Sequence, residues 1–143
     1  MAHQSQPEQL IVFKYADEGV ATQEDGLYAT ETTLKDAVKT DRLARFLKAS
    51  AQGWQFAVDR QDEAVKIVME NDTAGAQTAA HQKRMMGEIA KLVMPAAKGL
   101  GYLDEAAYTR TVEELMSGMS EPVITRKPEE AWTHGVWDEA LGK

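Results

Sequence analysis

The stretch Arg45-Phe46-Leu47-Lys48-Ala49-Ser50-Ala51-Gln52-Gly53-Trp54-Gln55-Phe56-Ala57-Val58 decides how this chain is read. With Leu43 just before it, its apolar and small members Phe46, Leu47, Ser50, Trp54, Ala57 and Val58 recur at three- and four-residue spacing. That is the period of one helix face, not the two-residue alternation of a strand. Thr40 or Asp41 is a candidate N-cap. Gly53 sits inside the stripe, where glycine costs about 1 kcal/mol relative to alanine. Its presence predicts close packing or a bend beside Trp54.

Toward the C-terminus the same period continues. Ala64, Ile67 and Val68 share a face, with Asp62 and Glu63 favouring the start of that helix through its dipole. Asn71-Asp72-Thr73-Ala74-Gly75 reads as a break. Residues 77–94 carry Met85, Ile89, Leu92 and Val93, and Pro95 with Gly99-Leu100-Gly101 ends them. Asp104 caps a further helix with Tyr108, Val112, Leu115 and Met116 on its apolar side, ended by Gly118 and Pro122. Val123-Ile124-Thr125 reads as short and extended. Pro128 at a first turn, followed by Glu129 and Glu130, predicts a last helix bearing Trp132, Val136, Trp137 and Leu141.

Toward the N-terminus the pattern changes. Leu10-Ile11-Val12-Phe13 is a short apolar run and reads as a buried strand; Leu27-Tyr28-Ala29-Thr30 reads as a second. The expected fold class is therefore α+β and mostly helical, with about five helices and a small two-stranded element. Residues 1–9 are expected to be a flexible segment and residues 10–143 a single domain.

Composition narrows the function classes. The chain has 143 residues, 43% of them hydrophobic, and no cysteine. Disulfides, thiolate zinc sites, iron–sulfur clusters and a cysteine nucleophile are excluded. A net charge of −7 argues against a nucleic-acid partner. No apolar run approaches the roughly 20 residues of a membrane span. The opening MAHQSQPEQL lacks a basic region followed by an apolar one, so no signal peptide is expected within it. Residues 1–31 hold one lysine against six acidic side chains, a net of −5, so most of the charge lies around the two expected strands.

That acidic loop, residues 17–26, is the first candidate site. Carboxylates suit hard cations or cationic ligands, yet the spacing does not follow a calcium loop, and a solvated acidic turn is the plainer reading. His81 and His134 form no metal pair, and His3 lies in the polar start, so no metal is expected. No serine has elbow glycines, and the glycines match neither a phosphate loop nor a dinucleotide fingerprint. No cofactor is expected. Met85-Met86, Met116 and Met119 read as core filler, and Trp54, Trp132 and Trp137 as core anchors.

The run at residues 45–58 resembles the "R-F-L-x-A-x-x-x-G-W-x-x-A" helix of the solute-binding proteins of ABC importers, in the group that binds nitrate, sulfonates and thiamine-pyrimidine precursors. Asp17-Glu18-Gly19-Val20 and Glu24-Asp25-Gly26-Leu27-Tyr28 are similar to the segment before that helix, and Pro122-Val123-Ile124-Thr125-Arg126-Lys127-Pro128 with Trp132-Thr133-His134 to the group's C-terminal end. The similarity runs over about residues 8–141. The family's proline after the helix is replaced here, where Gln61-Asp62-Glu63-Ala64 stands.

This resemblance implies a partial type II periplasmic-binding-protein fold, corresponding to the C-terminal part of a two-lobed protein. It implies an extracytoplasmic location, a small-molecule solute and a membrane permease as partners, and no enzymatic activity. By position it makes Asp17, Asp25 and Tyr28 the ligand-binding residues: Asp17 accepting hydrogen bonds, Tyr28 stacking on a flat ring. The local negative charge favours a neutral or cationic heterocycle over an inorganic anion. Iron-using pyrimidine synthases share this fold family, but their cysteine-rich motif has no counterpart in a chain without cysteine. A third expectation is an interaction module, in which exposed apolar surface drives homodimerisation or binding to another chain.

Overall fold

A computed structural model describes residues 11–23, 25–93, 98–117 and 121–142. They form six helices: α1 (Glu31–Leu34), α2 (Ala37–Asp59), α3 (Gln61–Glu70), α4 (Ala79–Val93), α5 (Glu105–Met116) and α6 (Gly135–Leu141). The chain is mostly helical, as the periodicity predicts. Two compact units are distinguished, one of Met1–Asp25 with Leu103–Ala131, the other of Gly26–Tyr102 with Trp132–Lys143.

The first unit contains α5. Its N-cap is Asp104, whose Oδ1 accepts from the Ala107 amide at 2.8 Å. Val112 is buried. Thr111 Oγ1 donates back to the Ala107 carbonyl and accepts from the Gln23 amide at 2.8 Å, which fastens the N-terminal segment to the helix. The Ile124 amide donates to the Leu115 carbonyl.

In the second unit, Thr30 caps α1 and Asp36 caps α2, its Oδ1 accepting from the amides of Val38 and Lys39. The α2 helix thus starts about one turn before the Thr40 and Asp41 read as caps. Thr40 instead donates its hydroxyl to the Asp36 carbonyl at 3.0 Å from inside the helix. Arg60, at φ −131° and ψ 57°, breaks the helical path and joins α2 to α3. The α3 helix packs on α4, and α2 packs on α3, α4 and α6. Trp137 of α6 donates its indole N–H to the Leu100 carbonyl at 3.0 Å, and its ring meets Tyr102 edge-on. A Cβ on Gly99 would lie 2.9 Å from Trp137 Cζ2, and Gly99 has φ +112°, so both space and backbone require glycine there.

Three further expectations change. Among the described residues no strand forms: residues 11–13 and 27–30 are not helical but pair with nothing in a ladder, while Leu10 lies outside the described residues. Strand propensity is realised only when a neighbouring strand accepts the backbone hydrogen bonds, and none is supplied within these residues. The last helix begins at Gly135, not near Pro128, with residues 128–133 irregular and Glu130 at φ +49°. A left-handed residue inside the first turn is incompatible with an α-helix there.

The third change concerns the core. It is built from small side chains: among the described residues of the second unit, Ala44, Ala64, Val65 and Ala90 are the buried apolar ones. Phe46 and Trp54 on α2, and Leu92 on α4, remain exposed, as do Ile67 and Val68 on α3. The periodicity locates each helix's apolar stripe, but the residues buried on it are mostly alanines, and several of its large side chains stay exposed.

Candidate functional site

Asp17 lies in one turn of helix-like backbone. The Asp17 and Glu18 amides both donate to the Lys14 carbonyl. The turn closes with the Val20 amide on the Tyr15 carbonyl and the Gly19 amide on the Ala16 carbonyl, with Gly19 at φ +79°. This 6→1 and 5→2 pair is the left-handed glycine stop of a helix end. It presents Asp17 and Glu18 to solvent.

Asp25, at φ +43°, is one of two non-glycine residues in the left-handed region among the described residues. Aspartate tolerates that region better than most residues because its short polar side chain bonds locally. Tyr28 is 86% exposed, and its ring folds back over Gly26, with Cζ and Oη 3.4 Å from where a Cβ would sit. Asp17 and Asp25 fall in the first unit and Tyr28 in the second. Among the described residues no group of three or more His, Asp or Glu side chains is placed to hold a metal ion. No helix among them is long and apolar enough to cross a membrane.

His134, which forms no metal pair in the sequence, packs among aromatic rings. His134 stacks on Tyr102 with ring centroids 4.2 Å apart, and Trp132 leans on it at 4.8 Å. Lys98 Nζ sits 4.7 Å from the Tyr102 ring centroid, a cation–π contact. This aromatic group anchors α6.

A second feature was not read from the sequence. Trp54 and Ala57 of α2, Val65 and Val68 of α3, and Met85 and Met86 of α4 wall a recess of about 460 Å³. Trp54 and the methionine pair were expected in the core. Their i, i+3, i+4 spacing is the same for a filled core and for an open groove, so the signal could not separate the two.

Compared with known families, residues 1–64 match the model described as NMT1/THI5 like. The match contains the acidic loop, Tyr28 and the whole 45–58 run, and it is to the solute-binding family of ABC importers that the run resembles. It ends inside α3, so residues 65–143, including the stretch from Pro122 to His134, lie outside it. No curated protein matches the chain significantly. No solved structure does either.

Proposed function

We propose that this chain is the substrate-binding component, or a part of one, of an ABC importer, a binding protein rather than an enzyme. The observation that carries this reading is the family match over residues 1–64. We assign the solute to Asp17, Asp25 and Tyr28. In the second unit the exposed Tyr28 ring offers a stacking surface to a flat heterocycle; in the first, the exposed Asp17 and Asp25 carboxylates each offer acceptors to a solute N–H group. The acidic surroundings favour a neutral or cationic heterocycle such as an aminopyrimidine over nitrate or a sulfonate. An extracytoplasmic location and delivery to a membrane permease follow from the same reading.

The test is thermal unfolding of the full chain with 4-amino-2-methylpyrimidine, nitrate and taurine in parallel. Binding to the native state raises the melting temperature with ligand concentration. The aminopyrimidine is expected to raise it, and Tyr28→Ala and Asp25→Asn are expected to remove the rise. Asparagine keeps the left-handed backbone while deleting the charge. A rise with nitrate alone would reverse the assignment of ligand class, and no rise with any of the three would count against this site.

A second reading rests on the apolar segment Ile11, Val12 and Phe13, all at least 71% exposed. Unpaired extended apolar backbone is a template for pairing with another chain. Sedimentation velocity separates the readings: a concentration-dependent dimer abolished by Val12→Lys favours self-association, and a monomer at all concentrations removes it.

A further inference from the structure

We propose that Asp25 is a site of spontaneous backbone modification: its carboxyl cyclises onto the Gly26 amide, and the ring reopens to an isoaspartyl link. The proposal does not rest on the solute assignment above.

The chemistry has two steps and consumes no co-reactant but water. The Gly26 amide nitrogen attacks Cγ of the Asp25 carboxylic acid. The N–Cγ bond forms, the Cγ–OH bond breaks, and the hydroxyl leaves with the amide proton as water. Water then adds to the Asp25 main-chain carbonyl carbon of the five-membered imide, and the bond from that carbon to nitrogen breaks. The chain now runs through Cγ, one carbon longer, and the carboxylate sits on the former main-chain carbon.

Ring closure needs a free carboxyl, a free following amide, room at that amide and a backbone able to turn. Asp25 meets all four conditions. It is exposed, and among the described residues no hydrogen bond or ion pair holds its carboxylate. Gly26 brings no side chain to shield its amide, which donates to no described group. Asp25 belongs to no helix, and at φ +43° it occupies a region that disfavours residues with a Cβ. Turning out of that region toward ring closure therefore relieves strain.

The other eight aspartates each fail a condition, and none of them precedes a glycine. Asp36 and Asp104 hold their carboxylates on helix amides as caps. Asp41, Asp59, Asp62 and Asp138 have their backbone fixed within helices. Asp72 accepts from the Gln77 amide at 2.7 Å. After Asp17, the Glu18 amide is bonded to the Lys14 carbonyl at 3.2 Å.

The test ages the full native chain, with no solute present, at raised temperature in mildly acidic heavy-oxygen water, followed by digestion and chromatography with mass spectrometry. The Asp25 peptide is expected to gain a second peak carrying one heavy oxygen and the fragment ions of an isoaspartyl link. An isoaspartyl carboxyl methyltransferase should then add one labelled methyl group per converted chain. In Gly26→Ala the new Cβ first meets the Tyr28 ring, at 3.4 Å, and needs no left-handed backbone. That variant should fold and convert at least tenfold more slowly. If it does not fold, the native chain compared with the same chain aged in urea decides, since a fold that leaves Asp25 free should convert at a rate within tenfold of the unfolded one. Absence of the isoaspartyl peptide, equal conversion at the other aspartates, an unchanged rate in folded Gly26→Ala, or a native rate more than tenfold below the urea rate would overturn the proposal.

Discussion

Glu88 shows what one exposed residue contributes. Lys91, one turn along α4, donates a hydrogen bond to its carboxylate at 2.8 Å. That bond first, and the lysine charge second, lower the Glu88 pKa from its ordinary value. A carboxyl with a depressed folded pKa adds stability above its unfolded pKa, and the contribution disappears as pH falls through the lowered value. Both side chains are well exposed, so solvent screens the pair and its share of stability is small. The prediction is one of titration. By NMR, Glu88 should titrate below the ordinary glutamate range, and Lys91→Met should move its midpoint upward. An unchanged midpoint would mean that the pair does not persist in solution. Asp25 is legible in another way: its identity made it a site candidate, but its left-handed backbone emerged only with the fold.

At the scale of elements, caps outweigh such surface pairs. Asp36 accepts from two amides at the start of α2, and Asp104 from one at the start of α5. Replacing an aspartate N-cap by alanine typically costs about 1 kcal/mol. Asp36→Ala and Asp104→Ala should each lower the urea midpoint by a corresponding amount. Thr40→Val deletes a hydroxyl within the helix and leaves the Asp36 cap in place. It should cost less than Asp36→Ala; a larger cost would return the cap to the place first expected. The Asp104 cap was legible because aspartate stands immediately before a periodic run. The start of α2 was not, because Asp36, Thr40 and Asp41 are all acceptable caps and the choice depends on the turn that α1 makes before them. The expected strands failed for a related reason. A helix satisfies its backbone within itself, while a strand needs a partner that local sequence does not name.

For the whole molecule, the distribution of charge is the informative quantity. The first unit carries four basic and twelve acidic residues, a net of −8, and the second twelve basic and eleven acidic, a net of +1. Like-charge repulsion therefore opposes folding in one unit and is nearly balanced in the other. Raising salt from about 0.01 M to about 0.15 M shortens the screening length from about 30 Å to about 8 Å. Amide exchange of α5 is expected to slow with added salt more than that of α2. An equal response in both helices would mean that the acidic side chains of the first unit are already neutralised by their neighbours.

The sequence by itself determined the helical character of the chain, the positions of most helices, the cap of α5, the exclusion of thiol chemistry and the resemblance that residues 1–64 bear out. These rest on local spacing, local hydrogen bonding and composition. The tertiary structure alone decided that Ala44, Ala64, Val65 and Ala90 form the contacts while Phe46 and Trp54 stay outside, and that the face at Gly53 opens into a recess. A stripe of apolar residues specifies which side of a helix turns inward. How near the next helix comes, and whether it fills the space between, depends on side-chain volumes contributed by three elements at once.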